Sequence, residues 1–359
     1  MKKIIALLGA VLVLATSARA VEVAAPSALL MEKETGTVLF AKNEHAKLEP
    51  ASVTKVMTIL LTMEAIDAGQ LTYDTMVTAS AHACSMGGSQ IWLKENEQMT
   101  VSDMLKAVCV VSANDCAVAL AEQIAGSEDA FVERMNQRAK ELGMNDTTFK
   151  NATGLPAQGH VTSAYDIALM SRELILHHPD IRQYTTIWMD SLRDGASELV
   201  NTNKLIRFFD GATGLKTGST DSALYCLSGT AERDGMELIA VIMKDATSAQ
   251  RFEDAKTLLS YGFSTYSLEH VTPQEALPPG TGRQATVQPV LEEGSALLLE
   301  KSKAGTLEQS VSLAEAVEAP VAKGTPLGTL TITSGEETVA ELALVAGEEI
   351  PRITFGQML

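Results

Sequence analysis

The chain has 359 residues, of which 46% are hydrophobic, 4% aromatic and 20% charged, with a formal net charge of −17. That length supports one large domain or two smaller ones, and the composition excludes a disordered acidic tail or a coiled coil. The acidic excess argues against a nucleic-acid partner, which needs clustered Lys and Arg, and four cysteines are too few for a disulfide-dense scaffold.

Met1–Lys2–Lys3 is basic, Ile4 to Ala15 is almost wholly apolar, and Thr16–Ala20 ends in an A-x-A pattern. This predicts a secretory signal peptide, residues 1–20, cleaved after Ala20. The apolar run is short for a bilayer, which needs about 20 residues. The mature chain is therefore expected to be exported and to work outside the cytoplasmic membrane, with 25 basic against 45 acidic residues.

Ser27 to Phe40 reads as a hairpin around Lys33–Gly36. After Pro50–Ala51, the residues Val56, Ile59, Leu60, Met63 and Ile66 recur at helical spacing until Gly69. Thr100–Asp103 resembles a capping box and opens another helix. Asp115–Ile124, Glu128–Leu142 and Ala164–Leu176 are further predicted helices, the second stopped by Gly143 and the third before Pro179. Residues 224–231 and 236–243 predict two buried strands joined by Arg233–Asp234–Gly235, and Phe252–Phe263 a closing helix. Strands at both ends with helices between them predict a mixed α/β domain, residues 21–271, whose sheet joins the two ends of the segment. From Thr272 onward there is no Asp, Cys, Trp or Tyr, and 12 Glu face 5 basic residues. Short alternating runs such as Thr329–Thr333 between Pro/Gly turns predict a small all-β domain, residues 272–359. Cys84, Cys109, Cys116 and Cys226 lack ligand spacing, so no metal or other cofactor is expected and the cysteines read as buried small hydrophobes.

Three short motifs carry chemistry. Ser52-Val53-Thr54-Lys55 opens the helix after Pro50. Positions i and i+3 share a helix face, so the Lys55 amine reaches the Ser52 hydroxyl. A serine is a weak nucleophile until a base takes its proton, and a lysine is that base only when neutral, through burial or a nearby cation. The helix N-terminus adds N–H groups where an oxyanion forms. Ser112-Ala113-Asn114 lies between two helices. Ser112 is placed to relay a proton and Asn114 to bond a substrate amide. Lys216-Thr217-Gly218 leads into Ser219 and a strand. Lys216 is expected to supply the cation that keeps Lys55 neutral, Thr217 to donate to a carboxylate, and Gly218 to let a ligand backbone lie beside the strand. Each triplet is weak alone. Each occurs once, in this order, with 60 residues from Ser52 to Ser112 and 104 from Ser112 to Lys216.

Together they are the S-x-x-K, S-x-N, K-T-G set of penicillin-interacting serine enzymes. The chain resembles the D-alanyl-D-alanine carboxypeptidases, the low-molecular-mass penicillin-binding proteins. Glu49–Thr58, Met86–Ile91, Asn201–Leu205 and Tyr261–Phe263 carry the resemblance beyond the triplets. It implies a β-lactamase/transpeptidase-like catalytic domain, a sheet flanked by helices, followed by the β-rich domain. It implies that Ser52 attacks the terminal D-Ala-D-Ala bond of peptidoglycan stem peptides, that Lys55 is the base, and that the Ser52 and Ser219 N–H groups hold the oxyanion. Ser112 and Lys216 would pass the proton to the leaving D-alanine, Asn114 would position the acyl-side amide, and Thr217, Ser219 and Arg251 would hold the carboxylate. β-Lactam antibiotics would acylate the same serine. Members often close with an amphipathic helix lying on the membrane. Here Ile353–Leu359 holds few apolar and no basic side chains, so only a weak peripheral membrane contact at the C-terminus is expected. No obligate protein partner is evident.

Three rivals share parts of this pattern. A class A β-lactamase needs a water-activating carboxylate in an E-x-x-L-N loop; Glu173-Leu174-Ile175-Leu176 is not followed by Asn. A D,D-endopeptidase that cuts crosslinks uses the same residues. An inert wall-binding scaffold predicts a damaged motif, and none is damaged.

Overall fold

The computed structural model describes residues 21–271, 287–292, 296–314, 317 and 320–351. The expected signal peptide, part of the expected second domain and the C-terminal segment lie outside these residues. Strands β1 (Ser27–Glu32) and β2 (Val38–Lys42) form the expected hairpin. They join β3 (Ala212–Thr220), β4 (Leu224–Arg233) and β5 (Met236–Asp245) in one antiparallel sheet of order β2-β1-β5-β4-β3. The two ends of the segment thus meet in one sheet, with β3 on its open margin. Asp234 and Gly235 both take positive φ, 51° and 78°, which makes the tight β4–β5 turn.

Both faces of this sheet are covered. Leu29, Met31, Ile239, Val241 and Met243 pack into one core, while Ala28, Leu30, Leu238, Ala240 and Ile242 pack into another. Alternate residues point to opposite faces, so a strand covered on both sides reads as a continuous apolar run. The first core is built with helices α1 (Lys55–Asp67), α2 (Val101–Val110), α3 (Asn114–Ala125), α4 (Glu128–Glu141) and α5 (Ala164–His177). The second is closed by α6 (Ser248–Thr265), longer than Phe252–Phe263 because Thr247 caps it, its Oγ1 accepting from the Gln250 N–H at 3.1 Å. Thr100, Ser127 and Ser163 cap α2, α4 and α5 in the same way. Helix α1 is buried from Lys55 to Met63, as expected of a helix apolar nearly all round. No helix among the described residues is long and apolar enough to cross a membrane.

Two short antiparallel strand pairs escape the sequence patterns: Met76–Thr78 with Gln98–Thr100, and the hairpin of Met189–Leu192 with Ser197–Val200. After α6, β6 (Tyr266–His270) pairs with β8 (Ala296–Glu300). Strands β7 (Pro289–Leu291), β9 (Leu307–Leu313), β10 (Pro326–Ser334) and β11 (Glu337–Ala346) form a four-stranded sheet of order β7-β11-β10-β9. Leu330, Ile332 and Leu344 fill its small core. The described C-terminal residues are thus β-rich, with one four-residue helical turn at Lys301–Ala304.

Candidate active site

Pro50 starts the nucleophile turn: the Val53 N–H donates to its carbonyl at 3.2 Å, and Ala51–Thr54 form a 3₁₀ turn that runs into α1. Ala51 sits at a φ of 48°, unusual for a residue with a side chain. Two glycines clamp this turn. A Cβ on Gly154 would stand 1.8 Å from the Ala51 carbonyl oxygen, and its φ is +83°. A Cβ on Gly218 would stand 2.7 Å from the Pro50 oxygen and 2.9 Å from the Ser52 and Val53 nitrogens. Sequence alone assigns Gly218 to ligand clearance; in the structure it first clears space for the serine's own turn. K-T-G also lies inside β3 rather than at its start, because pairing with β4 begins at Ala212 and continues past Gly218.

Lys55 Nζ donates to Ser52 Oγ at 3.0 Å and to the Thr153 carbonyl at 2.7 Å. Its amine is held well below the usual lysine range, first by complete burial and then by the Lys216 ammonium, against the pull of Asp115. Burial is therefore the larger cause and Lys216 the smaller. Lys216 Nζ donates to the Thr217 carbonyl at 2.9 Å. Burial pulls its own amine down to about 7; Cys109 opposes this and Arg251 adds to it.

Ser112 falls in the break between α2 and α3 at a φ of 65°, and its buried Oγ has no partner among the described residues. An α3 without a side-chain N-cap relies on the loop before it: the Asn114 N–H donates to the Ser89 carbonyl at 2.7 Å and Asn114 Nδ2 to Gly87 O at 2.6 Å. Asn114 Oδ1 is buried and without a partner among the described residues. A polar atom left so costs about 1–3 kcal/mol, and a non-glycine at positive φ adds strain; such outliers cluster at functional sites.

Ser219 is exposed on β3, beside Gly218. Thr217 Oγ1 lies 2.7 Å from Thr202 Oγ1. The structure places Arg251 behind this edge: Nη1 bonds the Gly218 and Cys226 carbonyls, both at 3.1 Å, Nη2 bonds Ser248 Oγ, and the side chain is 5% exposed. Its Nε has no partner among the described residues. Ser52, Lys55 and Lys216 to Ser219 thus come together from α1 and β3, with Arg251 bracing the strand, while Ser112 and Asn114 stand at the α2–α3 break. Glu173 is tied to Arg138 and His177 on α5, as an ion-pair network rather than a water-activating carboxylate. The four cysteines are free, with Cys109, Cys116 and Cys226 buried and Cys84 partly so.

Several contributors carry no sequence signal of their own. His160 is buried, its Nδ1 accepting from the Lys150 N–H at 3.2 Å, so its protonated Nε2 donates to Thr54 Oγ1 at 2.9 Å. Burial keeps it neutral, pulled down to about 4. Asp115, adjacent to Asn114, accepts the N–H groups of Ile91 and Leu93 and so fixes the 87–93 loop. The sequence hinted only at the 87–93 loop, through Met86–Ile91, and at the Asn201–Leu205 stretch.

Comparison with known proteins follows this geometry. A family model described as D-alanyl-D-alanine carboxypeptidase matches residues 14–247, and one described as penicillin-binding protein 5, C-terminal domain, matches residues 275–352. The chain is 40% identical over 339 residues to the D-alanyl-D-alanine carboxypeptidase DacF of Bacillus subtilis, covering 92% of this chain and 87% of that one. It is similar to the crystal structure of penicillin binding protein 5 from Haemophilus influenzae, at 27% identity and a TM-score of 0.80, covering 92% and 98%. It is also similar to penicillin-binding protein D2 from Listeria monocytogenes in the ampicillin-bound form, at 33% identity and a TM-score of 0.62, covering 67% and 98%. The chain belongs to the D-alanyl-D-alanine carboxypeptidase family.

Proposed function

We propose that this serine-type D-Ala-D-Ala carboxypeptidase works through Ser52 and Lys55 on the stem peptides of peptidoglycan. The 3.0 Å contact between a fully buried Lys55 amine and Ser52 Oγ carries the reading. Neutral Lys55 takes the Ser52 proton as Oγ bonds to the carbonyl carbon of the D-Ala-D-Ala bond. The Ser52 and Ser219 N–H groups receive the oxyanion. Asn114, whose Nδ2 is spent on Gly87, offers Oδ1 to the acyl-side amide N–H. Ser112 and Lys216 relay the proton to the departing amine, and Thr217 and Ser219 hold its carboxylate. Arg251 adds positive potential through the Gly218 carbonyl it braces. Water then hydrolyses the acyl-enzyme and frees Ser52. Penicillin acylates the same serine, in keeping with the ampicillin-bound relative. The signal peptide and export belong to the same reading, since the substrate lies in the wall.

The chain from Val21 should release D-alanine from diacetyl-Lys-D-Ala-D-Ala and take a fluorescent penicillin label that Ser52→Ala loses. Labelling without D-alanine release would sink the carboxypeptidase assignment. Absence of both in a folded sample would sink the nucleophile.

Lys216→Ala tests the electrostatics. Losing a neighbouring cation lets Lys55 bind its proton more tightly, so its pKa rises. Since Lys55 works neutral, the acid limb of kcat/KM should move to higher pH. The limb should move without vanishing, because burial is the larger cause. An unchanged limb would remove Lys216 from this role.

We also propose a domain division at residues 271/272. Every group named above comes from residues 51–251, so deleting 272–359 should leave D-alanine release within about twofold, although β6 loses its partner β8. A large fall in kcat would show that the second unit supports the site.

A further inference from the structure

The Thr153 carbonyl that holds the Lys55 amine is itself held. Residues 151–155 belong to no helix or strand, so their buried backbone groups must find partners elsewhere. Asn151 supplies most of them. Its Oδ1 accepts the Gly154 N–H at 2.7 Å, the Thr153 hydroxyl at 3.1 Å and the Thr153 N–H at 3.2 Å. Its Nδ2 donates to the Leu155 carbonyl at 2.9 Å. Both polar atoms of this side chain are thus engaged inside the turn. Next to it, Ala152 is fixed at both of its backbone groups: its N–H donates to Glu128 Oε1 at 2.9 Å, and its carbonyl accepts from Thr58 Oγ1 at 2.6 Å.

The Gly154 N–H and the Thr153 carbonyl belong to one peptide unit. A trans peptide is planar and points these two groups in opposite directions. Asn151 grips the unit by its N–H, so the carbonyl on the far side is aimed at Lys55 Nζ, 2.7 Å away. That aim matters to a base. A neutral amine has two N–H bonds and one lone pair, and only the lone pair takes a proton. With one N–H on the Thr153 carbonyl, the amine is not free to spin, and its lone pair can be kept toward Ser52 Oγ at 3.0 Å. Once the proton has moved, the same carbonyl turns its negative end to the new ammonium.

Resting on the Ser52–Lys55 reading, we infer that Asn151 is a positioning residue for acylation, which sets the orientation of the Lys55 amine through the Thr153–Gly154 peptide. It touches neither the substrate nor the reacting atoms. The charged groups that face Lys55 are Lys216 from β3 and Asp115 from α3. Beside the turn stand Glu128, at the start of α4, and His82, whose Nε2 lies 2.8 Å from Glu128 Oε2. Asn151→Ala leaves all four in place, so a change in the pH profile reports on the carbonyl.

The test measures D-alanine release from diacetyl-Lys-D-Ala-D-Ala by the full chain across pH, with a thermal unfolding curve for each variant. Asn151→Ala should lower kcat about tenfold, the worth of one hydrogen bond to a charged group, with KM within about twofold. A carbonyl that drifts away stops favouring the ammonium, so the Lys55 pKa falls and the acid limb of kcat/KM moves to lower pH. That is the opposite of the move expected for Lys216→Ala. Asn151→Asp keeps an oxygen for the three donors and adds a negative charge. It should recover kcat above the alanine variant and move the limb to higher pH. Asn136→Ala is the control for a structural role alone. Asn136 brackets the Phe149 N–H and carbonyl, both at 2.9 Å, just upstream of the turn. It should lower the unfolding temperature and leave the limb where it was. If Asn151→Ala does not fold, Asn151→Ser, the milder cut, should show the same two changes to a smaller extent. An unmoved limb with unchanged kcat in the folded Asn151 variant, beside an inactive Lys55→Ala, would overturn this inference alone. So would a loss carried by KM. A Lys55→Ala chain as active as the parent would overturn the Ser52–Lys55 reading with it.

Discussion

Lys55→Ala will abolish acylation of Ser52, lowering the second-order rate of penicillin labelling by about 10³-fold or more. General base catalysis alone is worth about 10²–10⁴-fold. The substitution also removes the donor that holds both Ser52 Oγ and the Thr153 carbonyl. Lys55→Arg will not rescue the rate, because a guanidinium does not give up its proton in a protein. Ser52→Ala will show no labelling at all. Stopped-flow acylation with a chromogenic cephalosporin measures the rate, and a thermal unfolding curve confirms that each variant is folded. A Lys55→Ala protein that acylated within tenfold of the parent would show that another group takes the proton.

Gly154→Ala will cost about 3 kcal/mol or more of stability and will slow acylation in the surviving folded fraction. Its Cβ would lie 1.8 Å from the Ala51 carbonyl oxygen, a backbone atom that moves only by dragging the serine turn with it. Overpacking that forces side chains and backbone to shift costs about 1–3 kcal/mol, occasionally more. The left-handed φ of +83° adds about a further 1 kcal/mol. Gly69→Ala is the control. Its φ is +71°, yet nothing lies within 4 Å of the added carbon, so only the conformational part is lost. Urea unfolding of the two variants separates the effects. Equal losses would show that crowding against Ala51 does not matter.

Much of this site was legible in the chain because its chemistry is local. Ser52 and Lys55 are one helical turn apart, and the triplets sit where α1, the α2–α3 break and β3 present them. The long apolar runs of β4 and β5 were legible for a related reason: a sheet covered on both faces leaves no polar alternation to misread. What was not legible is the tertiary closure. The Thr153 carbonyl that holds Lys55 lies 98 residues away and belongs to the backbone, which has no residue type to read. His160 reaches Thr54 across 106 residues, and Thr202 reaches Thr217 only because the chain folds back. Gly218 was visible as a glycine, but which backbone it makes room for depends on a contact with Pro50–Val53 that no local pattern encodes. The 189–200 hairpin was missed because its strands are four residues each and end on Met189 and Val200, both exposed.

The position of β3 has a consequence for self-association. A margin strand shows unpaired N–H and C=O groups to any extended chain, and proteins must blunt such margins or aggregate through them. Here the margin is interrupted: the Pro50–Val53 backbone rests on Gly218, and Thr202 is tied to Thr217. What is left open is the short run at Ser219 and Thr220, about 7 Å at 3.3–3.4 Å per residue. A stretch that short offers a foothold to a peptide of a few residues already gripped by side chains on either hand. It offers a strand of another copy too few rungs to hold, so the same interruption that shapes the cleft keeps a neighbouring molecule from zipping onto β3.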